Sequence, residues 1–236
     1  MITNHETVPG AVETAAQALA AELVQAIRGT ADPVSLHREV AARPEPVPAL
    51  AAIRVLGADV LSAHLLTGHA LPAADAELLH AAVGAFPAPP GTDPEAALWA
   101  LRDQALTAAL AELGVAAGDW PGLAGRAPAA AEPGNWAPWA ADLVRCSPLA
   151  LPPLEGPQRE QARRRRLDLG RGLSRALLRR DHLSAARLAR WLALDHRQLP
   201  EPLLAPALDH IDQLAADQPR TMLESALARR LARGER

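Results

Sequence analysis

The sequence predicts an all-α protein of about nine or ten helices, packed as one compact helical domain or as two closely apposed helical lobes. Three observations carry this expectation. Ala and Leu, among the strongest helix formers, dominate the apolar residues. Phe occurs once and Tyr never, and the β-branched and aromatic residues that strands favour are scarce. Proline, cap and glycine signals recur at helix-length intervals.

The elements follow in order. Val12, Ala16, Leu19, Leu23 and Ile27 share one helical face, and Gly29 ends that helix. Asp32-Pro33 reads as N-cap and first position of a short second helix reaching Ala42. A third, Pro48 to Thr67, is apolar nearly all round and so is expected at the centre of a core. Pro72 opens a fourth. Asp93-Pro94-Glu95 opens a fifth, which Gly114 closes. The stretch 115–157 is rich in Pro, Gly and Ala and holds Trp120, Trp136 and Trp139; within it a short helix spans 137–145. The C-terminal part resumes with helices over 158–180, 182–194, 203–216 and 222–233. The last begins with a capping box, Thr221 with Glu224. The expected organisation is an acidic helical lobe (1–114), a Pro/Gly/Trp-containing connector (115–157) and an Arg-rich helical lobe (158–236).

Charge is the most informative functional feature. Between Gln158 and Arg190, 11 of 33 residues are Arg and only Glu160, Asp168 and Asp181 are acidic. Residues 1–150 carry net −9 and residues 151–236 net +6, so the overall −3 conceals a dipolar chain. All 24 basic residues are Arg, which reads as the codon bias of a high-GC bacterial genome. Bias does not explain why 17 of them fall in the last 86 residues. On a helix, Ala162, Leu169, Leu173, Ala176 and Leu177 take one arc, and Arg164, Arg171, Arg175 and Arg179 the opposite one. Such a stripe is a solvated face, a dock for an acidic surface (the chain's own acidic half or a partner's), or a phosphate-binding face. Gly170 and Gly172 in the same segment mark either a close helix–helix approach or a break.

Many chemistries are excluded. Without Lys there is no Schiff-base lysine and no P-loop lysine. Without Tyr there is no tyrosyl acid or nucleophile. Gly172-Leu-Ser174 only half-resembles a nucleophile elbow and sits in an Arg-rich helix. Cys146 is alone and reads as a packed thiol, with no disulfide and no sign of secretion. Glu77 and His80 form a single Glu-x-x-His, where a di-iron bundle needs two. Asp181-His182, Asp195-His196 and Asp209-His210 recur every 14 residues, which makes His182, His196 and His210 weak metal candidates. Residues 184–199 have helix-turn-helix spacing, but Pro200 and Pro202 fall where a recognition helix would lie.

The N-terminus lacks the pattern of a signal peptide, and Arg54, Asp59 and His64 interrupt the longest apolar stretch. The expectation is a soluble cytoplasmic protein without a cofactor. It is a non-catalytic interaction or accessory protein that binds an acidic protein or peptide through Arg164, Arg171, Arg175 and Arg179, with Trp136 and Trp139 as anchors. Nucleic acid and membrane are not the expected partners. The rival readings are an all-α enzyme with a His/carboxylate site in an internal cavity, and a nucleic-acid-binding regulator.

Overall fold

Helix propensity and punctuation are realised along nearly the whole chain in a computed structural model that describes residues 7–43, 45–125 and 134–234. The described residues form twelve α-helices and two short 3-10 turns, with no strand. The helices exceed the expected nine or ten because two long predicted helices are each divided. The chain folds as two compact units, residues 1–127 and 128–236, so the division falls inside the stretch 115–157.

The first unit contains α1 (Thr7–Ile27), α2 (Leu36–Ala41), α3 (Pro46–Leu56), α4 (Ser62–Thr67), α5 (Ala73–Ala85) and α6 (Pro94–Glu112). Leu19, Leu23 and Ile27 of α1 are buried, as their spacing predicts. The α2 start differs from expectation: the helix begins at Leu36, not at Pro33, and the Ser35 side chain makes no cap bond. The Asp75 carboxylate of α5 instead accepts the His37 backbone N–H at 2.8 Å. One of the orphan donors at the helix start is thus satisfied from 38 residues away. The apolar stretch 48–67 is not one helix. Gly57, at φ 61 and ψ −133, turns it into a 3-10 segment, Gly57–Leu61, before α4 resumes. The stretch Pro46–Thr67 is long and apolar enough to cross a membrane by composition, yet its most apolar window is 83% buried inside the protein.

Buried ion pairing organises this unit. Arg54 forms a two-pronged bridge to Asp103 of α6 and donates to the Phe86 carbonyl at 2.9 Å. Asp103 also accepts the Ala124 N–H at 2.7 Å. The guanidinium of Arg54 lies 4.7 Å from the Trp99 ring centroid. The loop that follows α6 docks on α5 through Gly122, where a Cβ would stand 2.6 Å from the Val83 carbonyl oxygen. Only glycine fits there, at φ +94.

The second unit contains α7 (Trp136–Arg145), α8 (Pro157–Arg164), α9 (Arg166–Leu178), α10 (His182–Leu194), α11 (Leu204–Leu214) and α12 (Pro219–Arg233). Helix α10 is its axis: Ala185, Ala186, Leu188, Ala189, Trp191 and Leu192 are all buried, and α7, α9, α11 and α12 pack around it. The predicted helix 158–180 breaks at Arg165, at φ −112 and ψ 37, and not at its two glycines. Gly172 serves close approach: a Cβ there would lie 3.0 Å from the Ala140 Cβ of α7 and 3.2 Å from Leu188 Cδ1 of α10.

Helix α9 ends in a Schellman motif. The Arg180 N–H donates to the Leu177 carbonyl and the Asp181 N–H to the Ala176 carbonyl, with Arg180 at φ 57, where glycine is usual. The capping box predicted at Thr221 and Glu224 does not form. Pro219 takes the first helical position, Thr221 lies inside the helix, and Glu224 turns into the core.

Candidate functional site

The Arg stripe lies where the periodicity puts it. Arg164, Arg171, Arg175 and Arg179 are exposed, opposite the buried Leu169, Leu173 and Ala176. The stripe is nevertheless not uniform. Arg164 stands on α8 before the break, and Arg171 is held by Asp168 of its own helix at 3.0 Å. Arg175 and Arg179 face an open groove of about 600 Å³ between α7, α9 and the start of α10.

The groove has an apolar floor and a cationic rim. Ala137, Pro138, Ala140, Ala141, Val144, Ala176 and Leu188 line it, with Trp136 at its edge. Arg145, Arg175 and Arg179 supply three positive charges, and Asp181 is the one acid among its lining residues. That carboxylate already accepts the Ser184 N–H at 3.1 Å as the α10 cap. The Arg175 guanidinium sits 5.8 Å from the Trp136 ring centroid, which keeps the indole face and the cation together. Trp136 begins α7, whose N-terminus Asn135 caps by accepting the Ala137 N–H at 3.1 Å.

No family model, curated protein or solved structure matches the chain. The geometry alone therefore carries the functional reading.

Trp139 is not a surface anchor. It is buried, its indole N–H donates to Gln161 Oε1 at 3.3 Å, and Arg165 stacks over its ring at 4.5 Å. Trp139, Ala140 and Leu143 form the buried face of α7, whereas Trp136, at its first position, is part-exposed at the groove edge. Arg145 was not anticipated as a rim residue. Its sequence signal is faint: a single Arg closing a short helix, where the helix dipole favours a cation.

The metal candidates do not assemble. His182 and His210 meet edge to face at 6.3 Å, but His196 is engaged elsewhere, its Nδ1 accepting the Glu201 N–H at 3.2 Å. His80 stacks on Trp120 at 4.9 Å. Glu77 and His80 belong to the first unit, the other three histidines to the second. Among the described residues no group of three or more His, Cys, Asp or Glu could hold a metal ion.

Much of the remaining Arg block is internal. Arg190 is fully buried and donates to Glu224 at 2.9 Å and to the Ala150 carbonyl at 2.9 Å. Arg187 and Ser147 reach the other Glu224 oxygen at 3.0 and 2.9 Å. Burial pushes the Glu224 carboxyl up, and the Arg190 and Arg187 charges more than offset it, leaving its pKa below the ordinary value. Asp195 is held the same way. Burial raises it, but hydrogen bonds from Arg163 and Arg159 bring it below the carboxylate norm. Arg166 donates to the Leu192 carbonyl at 3.1 Å, and burial lowers its pKa. These arginines hold the unit together, while Arg145, Arg175 and Arg179 line its groove.

Proposed function

We propose that this protein is a non-catalytic interaction or accessory protein that holds an acidic protein or peptide segment in the groove between α7, α9 and α10. One observation carries the reading: an open apolar floor bordered by Arg145, Arg175 and Arg179. Each solvent-exposed Arg–carboxylate pair contributes only about 0.2–1 kcal/mol. The floor must therefore supply most of the affinity, at about 25 cal/mol per Å² of apolar surface covered. The cations select sign and speed encounter. The expected binding is of roughly micromolar strength and weakens with salt, because the rim charges are exposed.

The test uses the full chain and a fluorescent synthetic peptide carrying several Glu and two Leu, followed by anisotropy. Binding is expected to weaken as salt rises from about 0.05 to 0.5 M. Joint replacement of Arg145, Arg175 and Arg179 by Ala is expected to weaken it roughly three- to hundredfold. Affinity indifferent to both salt and the triple substitution would refute the proposal.

A further inference from the structure

The groove also indicates the conformation of what it holds. We infer that its occupant is a short acidic amphipathic α-helix bearing two carboxylates one turn apart, an inference that rests on the binding reading above.

Backbone accounting is the first argument. The groove is walled by helices, so it offers no strand edge to which an extended chain could add. The polar side chains along it are Arg145, Arg175, Arg179, Asp181 and Ser184. Guanidinium groups donate and cannot accept. One Asp181 oxygen serves the α10 cap, which leaves its other oxygen and the Ser184 hydroxyl as the side-chain acceptors along the groove. These two lie together at one end, so an extended peptide pressed along the floor would bury further backbone N–H groups without acceptors, at about 1–3 kcal/mol each. A helix satisfies its own main chain and presents only side chains.

The floor is the second argument. Ala137, Ala140, Ala141 and Ala176 are small, and small residues let a third helix settle at the usual interaxial distance of about 8–10 Å. Spacing is the third. Arg179, the C-cap of α9, follows Arg175 by four residues and its N–H still donates to the Arg175 carbonyl at 3.2 Å, so the two side chains start about 6 Å apart on one face. Two carboxylates one helical turn apart on a partner have the same spacing, so each meets its own guanidinium. The charges are complementary in sign and in separation. An apolar side chain between the two carboxylates then faces the floor.

The experiment compares three fluorescent peptides on the full chain, the first two of equal composition and built from Glu, Leu and Ala. One carries its Glu pair at i and i+4 beside two Leu. The second has the pair at i and i+2, which puts the charges on opposing faces. The third is the first with a central Pro in place of Ala. Anisotropy gives affinity, and circular dichroism gives helix formed on mixing. The one-turn peptide is expected to bind several-fold tighter than the others (roughly two- to thirtyfold), to gain helicity, and to lose that advantage in the R175A/R179A variant. Equal affinity for all three, each weakened by R175A/R179A, would overturn the helix inference and leave the groove as an acidic-segment site. No response to R175A/R179A from any peptide would overturn both. Tighter binding of a single-stranded oligonucleotide than of any peptide would overturn both as well.

Discussion

Arginine has three different roles in this protein, and burial separates them. Arg190 is fully enclosed beside Glu224, the buried Arg159 and the part-exposed Arg163 flank the buried Asp195, and Arg175 and Arg179 stand in solvent along the groove. The cost of losing a partner follows that order. A buried ion pair contributes little over an apolar pair of similar shape, but removing one member leaves a charge without compensation, at about 3–5 kcal/mol. Glu224→Gln keeps the size and removes the charge, so it leaves the Arg190 guanidinium buried without its counter-ion. It is expected to destabilise the second unit by about that amount, read as the loss in urea unfolding free energy. Arg187→Ala should cost clearly less, because Arg187 stands at the rim of the same cluster and water can replace it. Equal losses in the two variants would show that the cluster is not organised around Arg190. The density of arginine was legible in the sequence, but its partition was not. Glu224 lies 34 residues from Arg190, and Asp195 lies 32 from Arg163; a local reading places each Asp and Glu by its nearest neighbours. That is also why Thr221 and Glu224 read as a capping box when Glu224 belongs to the core.

At the scale of elements, two glycines two positions apart separate packing from propensity. Gly170 and Gly172 both lie inside α9, where Ala is favoured over Gly by about 1 kcal/mol. A Cβ at Gly170 would meet only Glu201 Oε2 at 3.9 Å, an ordinary contact. Gly170→Ala is therefore expected to stabilise the unit by about 0.5–1 kcal/mol, raising its melting temperature. A Cβ at Gly172 would press on Ala140 at 3.0 Å and Leu188 at 3.2 Å, and overpacking of this kind costs about 1–3 kcal/mol. Gly172→Ala should cancel the propensity gain or reverse it. If both variants stabilise alike, α7 and α9 are not in close contact under the groove. Elements with local signals were legible: Asp93 caps α6 by accepting the Ala96 N–H at 2.8 Å, and Gly234 closes α12 in the left-handed region, as the residues suggest. Elements set by distant groups were not. The α2 start depends on Asp75, and the breaks at Gly57 and Arg165 interrupt apolar periodicities that run on without change.

At the scale of the whole molecule, the electrical division of the sequence maps closely onto the structural one: residues 1–127 carry net −8 and residues 128–236 net +5. The two units also bury different titratable groups, and this gives them different responses to acid. In the first, His64 is buried, and burial lowers its pKa below the ordinary 6.5; the nearby backbone of Ala70 and His69 and the Asp75 carboxylate act the other way without reversing it. The unfolded chain therefore takes up a proton at His64 before the folded one does. Stability of the first unit is intact above pH 6.5 and is lost as pH falls through that value towards the lower folded pKa. In the second unit Asp195 and Glu224 are held below their ordinary 3.8 and 4.5 by arginine. Here too the unfolded chain binds protons first, but only at those lower values. The contribution of both carboxylates is complete at neutral pH and falls away as pH drops below about 4.5. Amide hydrogen exchange should then show α3, α4 and α5 losing protection first, as pH falls below 6.5, while α10 and α12 keep theirs until pH falls below 4.5. Replacement of His64 by Leu should remove the early loss and leave the later one in place. Simultaneous loss of protection in α4 and α12, unaffected by that substitution, would mean that His64 does not control acid sensitivity of the first unit.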